Sequence, residues 1–548
     1  MKINIFLIIL SAVIVLSCKE PAVLKTNDSE LILRDMSLDR KIGQLIIVAM
    51  PGGSIGPDSK KIIDEYNPGG VIFFGFNVGK KNQIRRFISD LQDYSMIKSG
   101  TPLLVTIDQE GGRVHRIEDG VTRFPGAMSA GVAGDAGLVY DMARITGMEL
   151  KLLGVNMNLA PDLDVNNNPD NPVINTRSFG SDVDVVSKMG IEYIKGLQDA
   201  GCAAVGKHFP GHGDTNRDSH YTLPVINYDL ERLKKIEFVP FIKSIKNNVS
   251  SIMTAHVSYP EILGNRDSAT VSKKFLTEIL RNEFGFKGVI MTDAIEMDAI
   301  SKRMDMGDAS VKSIEAGADI ILITSYGDNI GLIVKSIKTA VANGKISMAR
   351  IDESVKRILD LKLKYKIMDY KNGKTSFIPV TYSEKEMKLL DKAQEINYKL
   401  SRGAIYYYGE DDLLRGNNRK RIIISDNKIL RENFKLKENS IVYDSIWKIK
   451  TADLKNLKGE KTVLYFFIDE PFIGNLNMVN DYCVKNKFDL VVLSAGNPFP
   501  LAKVPYIKSI LCSFSNTEQS IRQLALCLNG EFNPKKNINY HIGFGEKK

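Results

Sequence analysis

The densest chemistry in the chain lies in Lys207-His208-Phe209-Pro210-Gly211-His212-Gly213-Asp214-Thr215, followed by Asp218-Ser219-His220. Three of the six histidines fall within thirteen residues, from 208 to 220. The glycines and proline mark irregular backbone, so the segment reads as a long loop. A metal site is one chemistry such histidines serve, but their spacing does not follow one helix face. A phosphate cradle is a second, but the glycines do not open a helix in the required pattern. An Asp–His pair is a third. Residues two apart in an extended segment point to the same side. Asp218 then holds the His220 ring, sets its tautomer and favours its charged form, which suits a proton shuttle. Hydrogen-bonded loop residues without chemistry are the plain alternative.

Asp293 ends the apolar run Gly288–Thr292. A carboxylate there serves as nucleophile, base or helix N-cap. Asp108 follows another apolar run, and Arg113 and Arg116 lie in the same segment. Such groups form a plain ion pair or grip sugar hydroxyls. Asp164-Val165-Asn166-Asn167-Asn168-Pro169-Asp170 departs from a calcium loop, with Pro169 in place of Gly and Asn175 in place of Glu. It reads as a turn, with Arg177 beyond it as a ligand contact.

Positioning these groups requires a scaffold. Short apolar runs occur at 45–48, 71–74, 103–107, 157–159, 203–205, 251–254, 289–292 and 320–323. Most are continuous rather than alternating, as in strands buried on both faces. Amphipathic helical stretches at 82–94, 138–153, 183–200, 230–246 and 273–284 separate several of them. Strand alternating with helix predicts parallel pairing. Eight units predict an α/β fold built on an N-terminal (β/α)8 barrel of the TIM type, whose active sites lie where the strands end. A second, smaller C-terminal α/β domain follows, with strands expected at 422–425, 463–467, 490–494 and 510–514. The expected divisions are 36–370 for the barrel, 371–420 for a linker with a helix at 383–401, and 421–548 for a sandwich-like α/β domain. At 548 residues, more than one domain is expected.

Composition is that of a globular protein, with 43% hydrophobic and 25% charged residues. The net charge of +9 is dispersed along the chain. It reads as general surface charge, and nucleic acid is not an expected partner. Lys2 precedes the apolar run Ile5–Leu16, which is too short to span a bilayer and suits a signal segment. Residues 1–17 are read as a signal peptide. Ser17-Cys18 then resembles a lipoprotein cleavage site, with Cys18 as lipidated N-terminus and 18–35 as tether; ordinary secretion is the alternative. The other cysteines, Cys202, Cys483, Cys512 and Cys527, show no framework spacing.

Together these segments resemble glycoside hydrolase family 3, in its β-N-acetylglucosaminidase branch. The resemblance covers roughly residues 36–366 and is carried by an ordered series. The series is Lys41-Ile42-Gly43-Gln44, Gly69–Phe73, Ile107–Val114, Asn158-Leu159-Ala160-Pro161, Asn171–Ile174, Arg177–Gly180, the Lys207–His220 block, Thr254-Ala255-His256 and Met291-Thr292-Asp293. It implies Asp293 as nucleophile and His220 as acid/base with Asp218 as its partner. It implies Asp108, Arg116, Arg177, Lys207 and His208 as contacts of the terminal sugar. It also implies retention of configuration, an amino-sugar glycan substrate, and no metal or organic cofactor. Phosphorolysis and silent glycan binding are the competing expectations. Export to a bacterial envelope fits cell-wall-derived or environmental glycans.

Overall fold

The computed structural model describes residues 28–538, apart from 372–373, 379, 416–418, 435–439, 444–461, 470–472, 505–506 and 508. The signal segment and Cys18 therefore lie outside the described residues. Among the described residues, no helix is long and apolar enough to cross a membrane.

Eight parallel strands close into a barrel in sequence order. They are β1 (Ile46–Ala49), β2 (Gly70–Phe73), β3 (Leu104–Ile107), β4 (Met157–Asn158), β5 (Ala203–Phe209), β6 (Ser251–Thr254), β7 (Val289–Ala294) and β8 (Ile320–Ile323). Alternate side chains face opposite ways along each strand. Ile47, Ile72, Leu104, Met157, Val205, Met253, Met291 and Leu322 meet inside the barrel. Ile46, Val48, Val71, Phe73, Val105, Ile107, Ile321 and Ile323 pack outward, in a separate core. Both faces are dry, which is why the runs carry no alternation of polarity.

The strand positions agree with the apolar runs to within a residue or two, except at β5. That strand continues through Phe209, so Lys207 and His208 stand on a strand and not in the expected loop. The expected helix at 230–246 is two, Leu230–Lys235 and Phe238–Lys246. The expected helix at 273–284 is a π-helix, Lys274–Glu283.

The closed end of the barrel holds a charge cluster. Asp319, just before β8, has a fully buried side chain. It accepts hydrogen bonds from Arg281, from Arg357 at 2.9 Å, from Ser354 Oγ at 2.7 Å and from the Ile290 N–H at 3.0 Å. Arg350 stands at 3.5 Å. Burial raises the Asp319 pKa, but the three guanidinium groups outweigh it and hold the group below 3.8.

A β-hairpin follows, β9 (Met368–Lys371) with β10 (Lys374–Phe377). The second sheet contains β11 (Tyr406–Tyr408), β12 (Lys420–Ile424), β13 (Ser440–Tyr443), β14 (Thr462–Ile468), β15 (Asp489–Ser494) and β16 (Ser509–Cys512). Its order is β11-β16-β15-β14-β12-β13, with only β11 antiparallel. The sheet thus begins inside the stretch expected to be linker. Tyr406 and Tyr407 are buried there because β11 completes the edge beside β16. The expected helix at 383–401 breaks into Glu384–Leu390 and Ala393–Gly403.

The two units share a core. Met128 and Val132, on the barrel helix Ala127–Ala133, pack among Ile422, Leu464 and Ile510 of the second sheet. Ser129 Oγ donates to the Ser513 carbonyl at 2.6 Å. Cys202, Cys483, Cys512 and Cys527 are free and buried.

Candidate functional site

All barrel strands run the same way, so their C-terminal ends and the segments after them share one face. A cavity of about 460 Å³ opens there, a size suited to a small ligand. Asp108, Arg116, Arg177, Lys207, His208, Asp218, His220 and Asp293 all line it. Every site residue expected in the barrel therefore reaches one cavity, and Arg113 joins them.

Asp293 lies near the end of β7. Its Oδ1 accepts the N–H of Ala294 at 2.8 Å. Burial raises its pKa, but the imidazoles of His208 and His256, the Ala294 N–H and the Lys207 ammonium outweigh that and keep it below 3.8. It is an ionised carboxylate at neutral pH. His256 is fixed behind it, with Nδ1 at 2.8 Å from Thr270 Oγ1 and Nε2 at 2.8 Å from the Ala294 carbonyl.

His220 sits on the segment after β5, and 59% of its side chain is exposed. Its Nδ1 lies 2.7 Å from Asp218 Oδ1, which also accepts the His220 N–H at 2.8 Å. Asp218 therefore holds both ring and backbone. With Nδ1 committed to the carboxylate, Nε2 is the nitrogen free to exchange a proton. His212 Nε2 meets Ser219 Oγ at 2.9 Å, tying this segment to a buried imidazole.

A buried ionic network forms another part of the wall. Lys207 Nζ stands 2.7 Å from Asp108 Oδ1 and 2.7 Å from Glu110 Oε1. Arg177 grips Glu110 with two bonds, Nε to Oε2 at 3.0 Å and Nη2 to Oε1 at 2.8 Å. Burial opposes ionisation of Glu110, yet Arg177 and Lys207 pull its pKa well below the carboxylate range. Burial likewise lowers Lys207, while Asp108 and Glu110 more than restore its charge. The net effect is a rigid set of donors and acceptors for hydroxyl groups.

His208 is different. Burial pushes its pKa down to about 4, so its ring is neutral. Nδ1 lies 2.8 Å from Asp164 Oδ2, which leaves Nε2 as an acceptor facing the cavity. Asp164 also accepts the His212 N–H at 2.6 Å. The supposed turn at 164–170 thus begins with a carboxylate that orients a site histidine. Asp162, Asp164 and His208 place ligand atoms within 4.8 Å of one another, the geometry of a cation cluster. The ring nitrogen is already bonded to Asp164, and Arg177 stands 4.0 Å from Asp162 Oδ2. A cation there would compete with both.

The sequence pattern assigns no role to Glu110, His212 or His256, and it places Asp164 only at the start of a turn. Glu110 lies in the Ile107–Val114 stretch, but its partner Arg177 is remote. The bond to Arg177 spans 67 residues.

The segment carrying Arg113 and Arg116 is pinned from behind. Glu149 accepts the Thr122 N–H at 2.7 Å and the Thr122 hydroxyl at 2.7 Å. Burial, only partly offset by Thr122, raises Glu149 from 4.5 to about 7. Between these values the folded protein keeps a proton that the unfolded chain has lost. Its stability contribution therefore falls as pH rises through that window. Glu149→Gln should remove this slope, making the variant more stable than wild type at pH 8 by about 3 kcal/mol and level with it at pH 4.5. Urea titrations at the two pH values measure it, and an equal difference at both would overturn it.

The site has what a glycosyl transfer to water needs: an ionised carboxylate, an orientable imidazole and a polar cradle on one cavity. Comparison with known proteins agrees. Residues 37–361 match the model of the glycosyl hydrolase family 3 N terminal domain. The chain is 37% identical over 333 residues to beta-hexosaminidase A of Pseudoalteromonas piscicida, covering 57% of this chain but only 56% of that protein. It is 32% identical over 302 residues to a beta-hexosaminidase of Nitrosomonas eutropha, covering 54% of this chain and 85% of that one. The structure of a family 3 β-N-acetylglucosaminidase from Paenibacillus sp. FPU-7 superposes with a TM-score of 0.81 at 34% identity, covering 91% of this chain and 98% of that one. The family match spans more than half of the chain and contains every strand of the barrel, so the protein belongs to glycosyl hydrolase family 3.

Proposed function

We propose that the protein is a retaining, exo-acting β-N-acetylhexosaminidase that removes terminal N-acetylglucosamine from glycans. The observation that carries this reading is the shared cavity: Asp293 and the Asp218–His220 pair line it together with the Lys207–Asp108–Glu110–Arg177 network. The relatives named above support the sugar.

In the first step Asp293 attacks the anomeric carbon, and the aglycone leaves with its bonding pair. His220 protonates the departing oxygen from Nε2 while Asp218 stabilises the imidazolium. The result is a covalent glycosyl-enzyme. Neutral His220 then takes a proton from water as that water attacks the same carbon, which frees Asp293 with net retention. Asp108, Lys207, Arg177, Arg116 and the neutral His208 hold the hydroxyl groups.

His220→Ala should cost roughly 10²–10⁴-fold in kcat on a disaccharide, and much less on a nitrophenyl glycoside, whose leaving group needs little protonation. Equal losses on both substrates would remove His220 from the acid role. The sugar assignment is tested on a panel of nitrophenyl glycosides. Release from the N-acetyl-β-glucosaminide should dominate, and cleavage of the β-glucoside as well or better would overturn it. Sugar 1-phosphate formed in phosphate buffer would replace hydrolysis by phosphorolysis.

The second part of the reading is export with a lipid on Cys18, at a bacterial envelope membrane. The apolar run Ile5–Leu16 ending in Ser17-Cys18 supports it. An alkynyl fatty acid fed to expressing cells should label the wild type and not Cys18→Ser. Label retained in the variant would sink the anchor.

A further inference from the structure

One arc of the cavity wall, from β8 round to β2, carries no charged group. The polar groups Asp108, Arg177, Lys207 and His208 come from the segments after β3 and β4 and from β5. Ile72, Phe74 and Leu322 line the uncharged arc, with Met297 of the segment after β7 beside it, while Val114, Leu159, Pro172 and Val173 stand among the polar groups. A terminal sugar held by its hydroxyl groups on the polar groups, with its anomeric carbon toward Asp293 on β7, sends its leaving group over the uncharged arc.

Phe74 and Phe76 stand at that arc. Phe74 lines the cavity, and its ring stacks on that of Phe76, with centroids 5.8 Å apart and planes 18° apart. Phe76 itself is 60% exposed. Exposed apolar side chains scattered singly are common; this one stacks on a second ring that lines the cavity. Buried Asn77 accepts the Phe74 N–H at 2.9 Å and donates to the carbonyls of Met50 at 2.7 Å and Gly52 at 2.6 Å. The turn is therefore fastened to the segment after β1. A preorganised aromatic face lowers the entropy lost on binding.

We propose that Phe74 and Phe76 form an aglycone subsite, on which the C–H face of the sugar next to the scissile bond stacks. The site would then favour an extended β-linked oligosaccharide over a short aglycone. This rests on the glycosidase reading but does not depend on which sugar is terminal.

The test is calorimetric binding to the full chain carrying Asp293→Asn, with and without Phe76→Ala. The ligands are chitotriose and methyl N-acetyl-β-glucosaminide, with cellotriose and methyl β-glucoside in parallel. Phe76→Ala should raise the Kd of the preferred trisaccharide about tenfold and leave that of its methyl glycoside within about twofold. Phe76→Trp should preserve or tighten trisaccharide binding. Equal weakening of both ligands, or an unchanged trisaccharide Kd, overturns the subsite. So does a failure of both trisaccharides to bind more tightly than the methyl glycosides. Preference for the gluco series overturns the N-acetylglucosamine assignment instead, while the Phe76 ratio is still read on cellotriose.

Discussion

Asp293→Ala is expected to lower kcat on any accepted glycoside by roughly 10⁴-fold or more, equivalent to about 5.5 kcal/mol of barrier. The carboxylate supplies the bonding pair in the first step, and water is poorly placed to replace it. Its own surroundings argue for that role, since its pKa stays below the usual carboxylate value despite burial, beside Lys207 and the Ala294 N–H. The sharper readout is chemical rescue. Azide entering the space left by the carboxylate should attack the anomeric carbon as the aglycone departs, giving an α-glycosyl azide from a β-glycoside. Nuclear magnetic resonance of the product decides the configuration. A β-azide, or a variant retaining a tenth of wild-type activity, would show that Asp293 is not the nucleophile.

The largest effect on stability is expected far from the cavity. Asp319→Ala strands Arg281, Arg350 and Arg357 around an empty centre at the closed end of the barrel. Breaking a buried ion cluster by removing one partner costs about 3–5 kcal/mol, because the remaining charges lose their compensation without regaining water. The barrel transition should fall by about 10 °C in a thermal melt. The wild-type contribution has a defined pH window. The folded pKa lies below 3.8, so the stabilisation is present above that value and disappears as pH falls through the lower folded pKa. The gap between variant and wild type should thus be full at pH 7 and shrink in strong acid. A shift of less than about 2 °C at pH 7 would mean that the three arginines find other partners.

How much of this was legible beforehand follows from the range of the interactions involved. Strand runs such as Ile46–Ala49 and Ile320–Ile323 declare themselves because burial on both faces demands four consecutive apolar residues. The Asp218–His220 pair is legible for a similar reason: two residues in an extended stretch reach the same side, and the bond forms within the segment. Asp293 is legible as the carboxylate that ends the apolar run 288–292. The edges of the description are less local. Strand β5 runs on through Lys207 and His208 because the barrel wall buries them, although the following glycines suggest a loop. Strand β11 leaves the apparent linker because the edge of β16 offers it hydrogen bonds more than a hundred residues away.

The sequence by itself determined the barrel, the family signature and the pair of groups proposed to make and break the glycosidic bond. Those depend on residue type and on spacings of a few residues. Only the tertiary structure decided that Glu110 is shared by Arg177 and Lys207, that His208 is neutral and leans on Asp164, and that Phe74 and Phe76 make a fixed apolar rim. Charge state depends on burial and on partners across the fold, 99 residues apart for Lys207 and Asp108, and no local pattern encodes that distance.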